Sequence, residues 1–147
     1  MSIFSPSPYA DRMLAVLRIV AGVLFISFGT MKLFGFPPMP PGTPAVHLLS
    51  QMGVGGLLET IGGTLVVLGL LVRPVTFVLA GEMAVAYWQF HAPSSPFPTS
   101  NMGIPAILYC FLYLYLCFAG GGAWSLDRRI ARARGEDGAD ARRSPAV

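Results

Sequence analysis

The stretch that decides the fold is VGGLLETIGGTLVVLGLLV, residues 54–72, in which Glu59 is the one charged residue. A helix of about 20 apolar residues crosses the roughly 30 Å hydrocarbon core of a bilayer. The stretch therefore predicts a membrane-spanning helix. A carboxylate at that depth costs about 3 kcal/mol, so Glu59 needs a partner or a function.

Three further apolar runs have similar lengths, and they cover residues 13–34, 75–90 and 104–119. A cleaved signal peptide is the alternative for the first run. It is disfavoured because the run contains Arg18 and Lys32 and no clear small-x-small cleavage site follows it. Four runs predict an all-α protein, a four-helix transmembrane bundle.

The composition agrees with a membrane protein. The 147 residues are 54% hydrophobic and 12% charged, with a mean hydropathy of +0.62. A soluble domain carries about 25% charged residues, so an ordinary cytosolic domain is excluded, and the long apolar runs exclude disorder. We expect an N-terminal tail at 1–11, a membrane domain at 12–126 and a charged cytoplasmic tail at 127–147.

The basic residues are distributed unevenly. Six of the ten are arginines beyond residue 127, whereas the connecting segments 35–51 and 93–103 contain no Lys or Arg. The positive-inside rule then places both termini in the cytoplasm. Membrane lipid is an expected partner. Nucleic acid is not, because the tail mixes acids with its arginines.

No cofactor motif is recognisable. Cys110 and Cys117 share one apolar run, and seven residues on a helix separate them by about 10 Å, too far for a disulfide. The sequence contains no haem-attachment motif, cysteine cluster, nucleotide fingerprint or metal-site spacing.

The ionisable residues share helix faces with glycines. One stripe on the first helix holds Arg18, Gly22, Phe25, Gly29 and Lys32, and one on the second holds Gly55, Glu59, Gly62, Val66 and Gly69. Small residues let helix backbones approach closely. These faces are therefore expected to point into the bundle.

Matched depth predicts two buried ion pairs, Arg18–Glu82 and Lys32–Glu59. One interpretation is that the pairs are structural and fix helix register. The other is a polar chamber that binds a ligand or relays protons. The two are compatible, since a structural pair can line a pocket.

The candidate ligand-binding residues combine charged, imidazole and phenol groups. A histidine at an interface is often only solvated, and tyrosines often only pack in the interior, so these alternatives stay open. The predicted set is Lys32, Glu59, Glu82, His91, Tyr109 and Tyr113.

With these stripes in place, the chain resembles the DoxX family of small four-helix membrane proteins, by the order and spacing of several short elements. These are Arg18 followed by Gly29-x-x-Lys32, Glu59 in LLETIGG (57–63), GLLVRP (69–74), Glu82, FHAP (90–93), NMG (101–103) and GGGAWSLD (120–127). One position departs from the pattern: relatives often carry a glutamate where this chain has Ile104.

The resemblance implies a four-helix bundle of the bacterial inner membrane. It also implies a link to quinone-coupled oxidation of sulfur compounds, through a small subunit of thiosulfate:quinone oxidoreductase, or to membrane redox-defence assemblies. Our first hypothesis is therefore a redox-associated subunit that binds a quinone or another lipid-phase small molecule in its polar interior.

In that hypothesis any catalysis belongs to a quinone-linked oxidoreductase of which this chain is a subunit. A soluble or membrane oxidoreductase partner then supplies the electrons. The alternative is a non-enzymatic scaffold, assembly factor or small-molecule carrier. A second copy of the chain is a further candidate partner, since four helices leave little room for alternating access unless the protein dimerises.

Overall fold

The computed structural model describes residues 7–39, 41–43 and 45–135. It confirms the predicted all-α class, since this part of the chain forms five α-helices and no strand. The helices are α1 (Ala10–Phe34), α2 (Gln51–Leu68), α3 (Val72–Ala86), which continues into a π-helical turn (Tyr87–His91), α4 (Ile104–Ala119) and α5 (Leu126–Ala133).

α2 begins and ends at residues suited to helix termini. The Ser50 hydroxyl oxygen accepts a 3.1 Å hydrogen bond from the backbone N–H of Gly53, which caps the first turn. Gly69 follows the last turn with a φ of 70°, a left-handed conformation that glycine adopts without strain. The helix predicted from the apolar run extends too far, because α2 ends at Leu68 and α3 begins at Val72.

α1 and α2 pack closely because glycines face each other. A β-carbon on Gly22 would lie 2.9 Å from the carbonyl oxygen of Gly63, and one on Gly63 would lie 3.0 Å from that of Gly22. The stripe of α2 predicted for close approach, Gly55 and Gly62, instead faces α3, where Gly62 lies against Leu79. The contact with α1 therefore uses the neighbouring stripe.

The four longer helices share one apolar core and present an apolar outer surface. The core residues are Ala21, Phe25, Val66, Leu79, Ala80, Met83, Ala106, Tyr113 and Leu116. Large outward side chains include Phe77, Leu108, Phe111 and Phe118, each at least 64% exposed. Soluble monomers rarely expose such a surface. α1 and α2 are long and apolar enough to cross a membrane, and α4 is apolar but shorter.

Candidate functional site

A cavity of about 630 Å³ lies at the end of the molecule where α1 finishes, α2 and α4 begin, and the π-helical turn closes α3. Its floor is polar and its walls are apolar and aromatic. Five of the six predicted ligand-binding residues line it: Lys32, Glu59, Glu82, His91 and Tyr109. The fold thus brings together side chains from four helical segments that are far apart in sequence.

An ion pair lies in the floor of the cavity. Nζ of Lys32 is 2.6 Å from Oε1 of Glu59, with the two side chains 16% and 3% exposed, so the predicted Lys32–Glu59 pair is present. The second oxygen of Glu59, Oε2, is buried and has no hydrogen-bond partner among the described residues. A buried carboxylate oxygen without a donor is costly, so this atom marks an incomplete site.

Glu82 approaches the same ion pair from α3. Its Oε2 is also buried and unpartnered within the described part of the chain. A β-carbon on Gly55 would lie 3.2 Å from Oε1 of Glu82 and 3.9 Å from Nζ of Lys32. The bare backbone of Gly55 therefore leaves the space in which these charged groups converge. Two carboxyl groups face one ammonium there, which leaves a surplus of negative charge or one bound proton.

His91 is held at the rim of the cavity by the loop that follows it. Its Nδ1 lies 2.9 Å from the carbonyl oxygen of Asn101. Asn101 is itself buried: its amide donates to the carbonyl oxygen of Ser95 at 2.9 Å, and its Oδ1 accepts from the backbone N–H of Gly103 at 2.8 Å. The loop therefore fixes the imidazole.

The positioning role of Asn101 was not predicted from the sequence. The Asn-x-Gly element is a turn signal that indicates local ordering, but it does not reveal which side chain the turn will hold. The π-helical turn that carries His91 adds a second local feature, and such turns occur frequently at functional sites.

The cavity opens sideways between α2 and α3. Val54 on α2 and Val85 on α3 both line it and are each 47% exposed. At its outer end Nε2 of Gln51 donates a hydrogen bond to Oε1 of Gln89, which connects the start of α2 to the π-helical turn. The part of the cavity wall formed by these two helices is thus apolar and partly exposed.

The predicted ion pair between Arg18 and Glu82 is wrong. Arg18 is fully buried, and its guanidinium donates to main-chain carbonyl oxygens, including those of Val66 and Val67. Glu82 lies beside Gly55. Gly55 and Val66 are eleven residues apart on α2, which is about 16 Å. Counting residues from the helix ends predicted that Arg18 and Glu82 lie at the same depth in the membrane. The structure instead places them beside opposite ends of α2.

Arg18 instead connects elements at the end of the molecule opposite the cavity. Its Nε donates to the carbonyl oxygen of Gly121 at 2.8 Å, and its Nη2 to that of Trp124 at 3.3 Å. Nearby, both carboxylate oxygens of Asp127 accept from the backbone N–H groups of Leu71 and Val72, at 2.8 and 2.9 Å. These contacts fix the chain before α5 against the junction of α2 and α3.

Tyr113 and Ile104 do not reach the cavity. Tyr113 is fully buried in the core, its ring packs edge-on against Phe25, and its hydroxyl donates to the carbonyl oxygen of Ala21 at 3.4 Å. The prediction that Tyr113 lines the site is therefore corrected to interior packing. Ile104 is 42% exposed and is absent from the cavity wall, although the next two residues, Pro105 and Ala106, line it.

Comparison with known proteins identifies the relatives of this chain. The sequence model of the DoxX family matches residues 13–92. An uncharacterized protein of Haemophilus influenzae is 39% identical over 125 residues, covering 83% of this chain and 93% of the relative. Inner membrane protein YqjF of Escherichia coli is 31% identical over 122 residues, covering 78% and 89%.

A third relative, an uncharacterized membrane protein of Mycobacterium tuberculosis, is 29% identical over 135 residues, covering 79% of this chain and 80% of the relative. Two of these three proteins are named as membrane proteins. Together with the apolar outer surface, this supports a membrane location. No solved structure matches the chain.

Proposed function

The chain belongs to the DoxX family of membrane proteins, and on that premise we propose that it is a four-helix transmembrane bundle whose cavity binds a small molecule from the lipid phase. One observation carries the proposal: buried oxygens of Glu59 and Glu82 lack partners in the described chain, at the floor of an apolar cavity. Ionisable groups at membrane depth are costly and are usually retained for function.

The helix lengths support the transmembrane arrangement. α3 and its π-helical turn run continuously over Val72–His91, 20 residues in all, which matches the length needed to cross a bilayer. We place both termini in the cytoplasm of a bacterial inner membrane, on the basis of the arginine distribution. The cavity then opens in the outer half of the bilayer.

The proposed role is a redox-associated subunit, with a quinone as the ligand. A bound quinone supplies two-electron acceptor chemistry. The Tyr109 hydroxyl and the N–H groups of Lys32 not used by Glu59 are the donors available to its carbonyl oxygens. The carboxyl groups of Glu59 and Glu82 can hold protons beside it. The sequence has no electron-carrying motif, so we assign electron supply to an oxidoreductase partner.

A scaffold, assembly factor or small-molecule carrier is the second candidate. The closed Lys32–Glu59 pair favours it, since a 2.6 Å ion pair holds α1 against α2 whether or not a ligand is bound. In this alternative the cavity is a by-product of the glycine at position 55, and the charges only fix helix register.

Glu59→Gln distinguishes these functions, because the amide keeps the side-chain shape and removes the charge. Wild-type protein and the variant would be purified in native-lipid nanodiscs, and their co-purifying small molecules identified by mass spectrometry. The proposal predicts that a quinone or similar molecule is retained by the wild type and falls about tenfold in the variant, the factor for 1.4 kcal/mol. Lower thermal stability with unchanged retention would assign Glu59 a structural role.

A further inference from the structure

The cavity floor is richer in hydrogen-bond acceptors than in donors. The buried side-chain polar atoms that lack a partner, within the part of the chain that the structure describes, are the Oε2 atoms of Glu59 and Glu82. An ionised carboxylate accepts hydrogen bonds and cannot donate them. Where these carboxyl groups are ionised, the unmet demand in this site is therefore for donors.

Two of the donor groups that line the cavity, the Lys32 ammonium and the Gln51 amide, each already donate one hydrogen bond within the protein. The Lys32 ammonium bonds Glu59 at 2.6 Å, and Nε2 of Gln51 donates to Gln89. The Tyr109 hydroxyl is the neutral donor that also lines the wall, and it can accept as well as donate. A ligand that only accepts hydrogen bonds would compete for Lys32 with a carboxylate already in place.

His91 adds another acceptor. The carbonyl oxygen of Asn101, 2.9 Å from Nδ1 of His91, can only accept, so Nδ1 carries the proton of that hydrogen bond. In the neutral imidazole Nε2 is then an acceptor. The ring is part of the lining of the same cavity.

The charged groups of the cavity favour the same kind of ligand as its hydrogen-bonding groups. Glu59 and Glu82 supply two carboxyl groups, and Lys32 supplies one ammonium. A cationic or hydrogen-bond-donating group between the two carboxyl groups would interact favourably with both, as the Lys32 ammonium does with Glu59. An anionic head would meet two carboxylates in a medium of low dielectric constant, which is unfavourable.

We infer that the cavity selects ligands by hydrogen-bond donation, and that its ligand carries an aryl hydroxyl or a protonated amine on an apolar body. The inference rests on the proposed function, because it concerns the same site. The apolar body of the ligand would lie against Phe25 and Phe28, and its far end would extend out of the cavity between Val54 and Val85. For a quinone couple, the site would favour the reduced, hydroxyl-bearing form over the carbonyl form.

Three probes with one apolar body test the inference. They are para-octylphenol, which donates a hydrogen bond, para-octylanisole, its methyl ether, which only accepts, and para-octylbenzylamine, which is a cation at neutral pH. Each would be measured by equilibrium dialysis against nanodiscs containing the full chain, with empty nanodiscs subtracted to remove partitioning into lipid. The phenol is expected to bind about tenfold more tightly than its methyl ether, the factor for one good hydrogen bond.

Glu82→Gln assigns the preference to a residue. Oε2 of Glu82 has no hydrogen-bond partner among the described residues, so the variant is expected to fold. Its amide offers a donor where the carboxylate offered acceptors, and the preference for phenol over ether should fall to about one. Gly81→Ala, on the same helix with nothing within 4 Å of the added carbon, is the matched control and should keep the preference.

The outcomes separate the inference from the function it rests on. Tightest binding of the amine identifies a cationic head, and tightest binding of the phenol identifies a neutral hydroxyl; either result supports donor selection. Equal binding of phenol and ether overturns the inference but leaves the cavity as a ligand site, as expected if Glu59 and Glu82 satisfy each other by sharing a proton. Binding of no probe above empty nanodiscs counts against both.

Discussion

Nη1 of Arg18 donates a 2.6 Å hydrogen bond to the carbonyl oxygen of Val67, next to the last residue of α2. The last four carbonyl groups of a helix have no partner within the helix and carry the negative end of its dipole. A buried cation of α1 thus satisfies the end of α2, and the carboxylate that interacts with it there is that of Asp127, not that of Glu82.

Arg18→Met is expected to lower the free energy of unfolding by about 3 kcal/mol or more. The change removes a donor from the carbonyl oxygens of Val67, Gly121 and Trp124, and a buried group left unsatisfied costs about 1–3 kcal/mol. The carbonyl oxygen of Val66 loses one donor but still accepts from the backbone N–H of Gly69. Thermal unfolding in detergent would measure the loss. Arg12→Met is the control on the same helix, because Arg12 is exposed, and it should change stability by less than about 0.5 kcal/mol.

The same residue tests whether Arg18 and Glu82 are independent. A pair of residues without contact should show additive effects, within about 0.5 kcal/mol. We therefore expect that Arg18→Met and Glu82→Gln, combined, destabilise the protein by the sum of the single changes. If Glu82→Gln instead recovered the stability lost in Arg18→Met, the two residues would be energetically coupled, which contradicts the structure.

Lys32→Met should destabilise the end of the protein that holds the cavity. The change leaves Glu59, whose side chain is 3% exposed, without its 2.6 Å partner. Breaking a buried pair from one side costs about 3–5 kcal/mol, whereas replacing both members by apolar residues is often close to neutral. Adding Glu59→Leu to Lys32→Met should therefore recover most of the loss in thermal unfolding. A double variant no more stable than the single one would contradict the pairing.

Gly55→Ala should reduce ligand binding without unfolding the protein. The added methyl would lie 3.2 Å from Oε1 of Glu82, tighter than an ordinary contact, and would displace the carboxylate. Helix propensity favours alanine by about 1 kcal/mol, so stability should hold. Gly81→Ala, in open space on α3, should keep wild-type binding. Binding of para-octylphenol in nanodiscs is the measurement, and equal loss in both variants would show that helix stiffening, not crowding of Glu82, is responsible.

Asp127→Ala should destabilise the junction of α2 and α3 by about 1–2 kcal/mol. Its two oxygens satisfy the backbone N–H groups of Leu71 and Val72 at the start of α3, and loss of such a cap typically costs this amount. Asp11→Ala, which removes an exposed ion pair with Arg128, should cost less than about 1 kcal/mol. Chemical unfolding of both variants in detergent gives the comparison, and the prediction is wrong if Asp11 proves the more important.

The proposed orientation predicts which positions react from outside the cell. With Cys110 and Cys117 replaced by alanine, cysteines introduced at Thr43 and Ser95 should react in intact cells with a membrane-impermeant thiol reagent. A cysteine at Gly135, on the arginine-rich side, should react only after lysis. The reverse pattern would invert the topology and place the cavity in the cytoplasmic half of the bilayer.

The sequence was informative where local pattern sets the structure. The fourth apolar run gave the bounds of α4, Ile104–Ala119, because Gly103 and Gly120 flank an uninterrupted apolar segment. The Lys32–Glu59 pair also followed from pattern, since each residue lies on a glycine stripe near the same end of adjacent, antiparallel helices.

The sequence was least informative about rotation and offset between helices. A residue step turns the side chain by about 100° around the helix axis, so Gly55 and Gly56 face different neighbours although both belong to plausible stripes. Tyr109 and Tyr113, four residues apart, share one face of α4, but the rise of about 6 Å between them places Tyr109 at the cavity and Tyr113 fully buried in the core. Neither difference has a signature in composition or spacing.

The sequence by itself determined the all-helical class, the number of apolar runs and the presence of charges among glycines, because these depend on hydrophobicity and periodicity along one segment. Only the tertiary structure decided that Arg18 binds carbonyl oxygens at one end of α2 while Glu82 meets Glu59 and Lys32 at the other. The physical reason is that a buried charge pairs with whichever polar group the packing brings within reach, and that depends on how far each helix slides and turns against its neighbours.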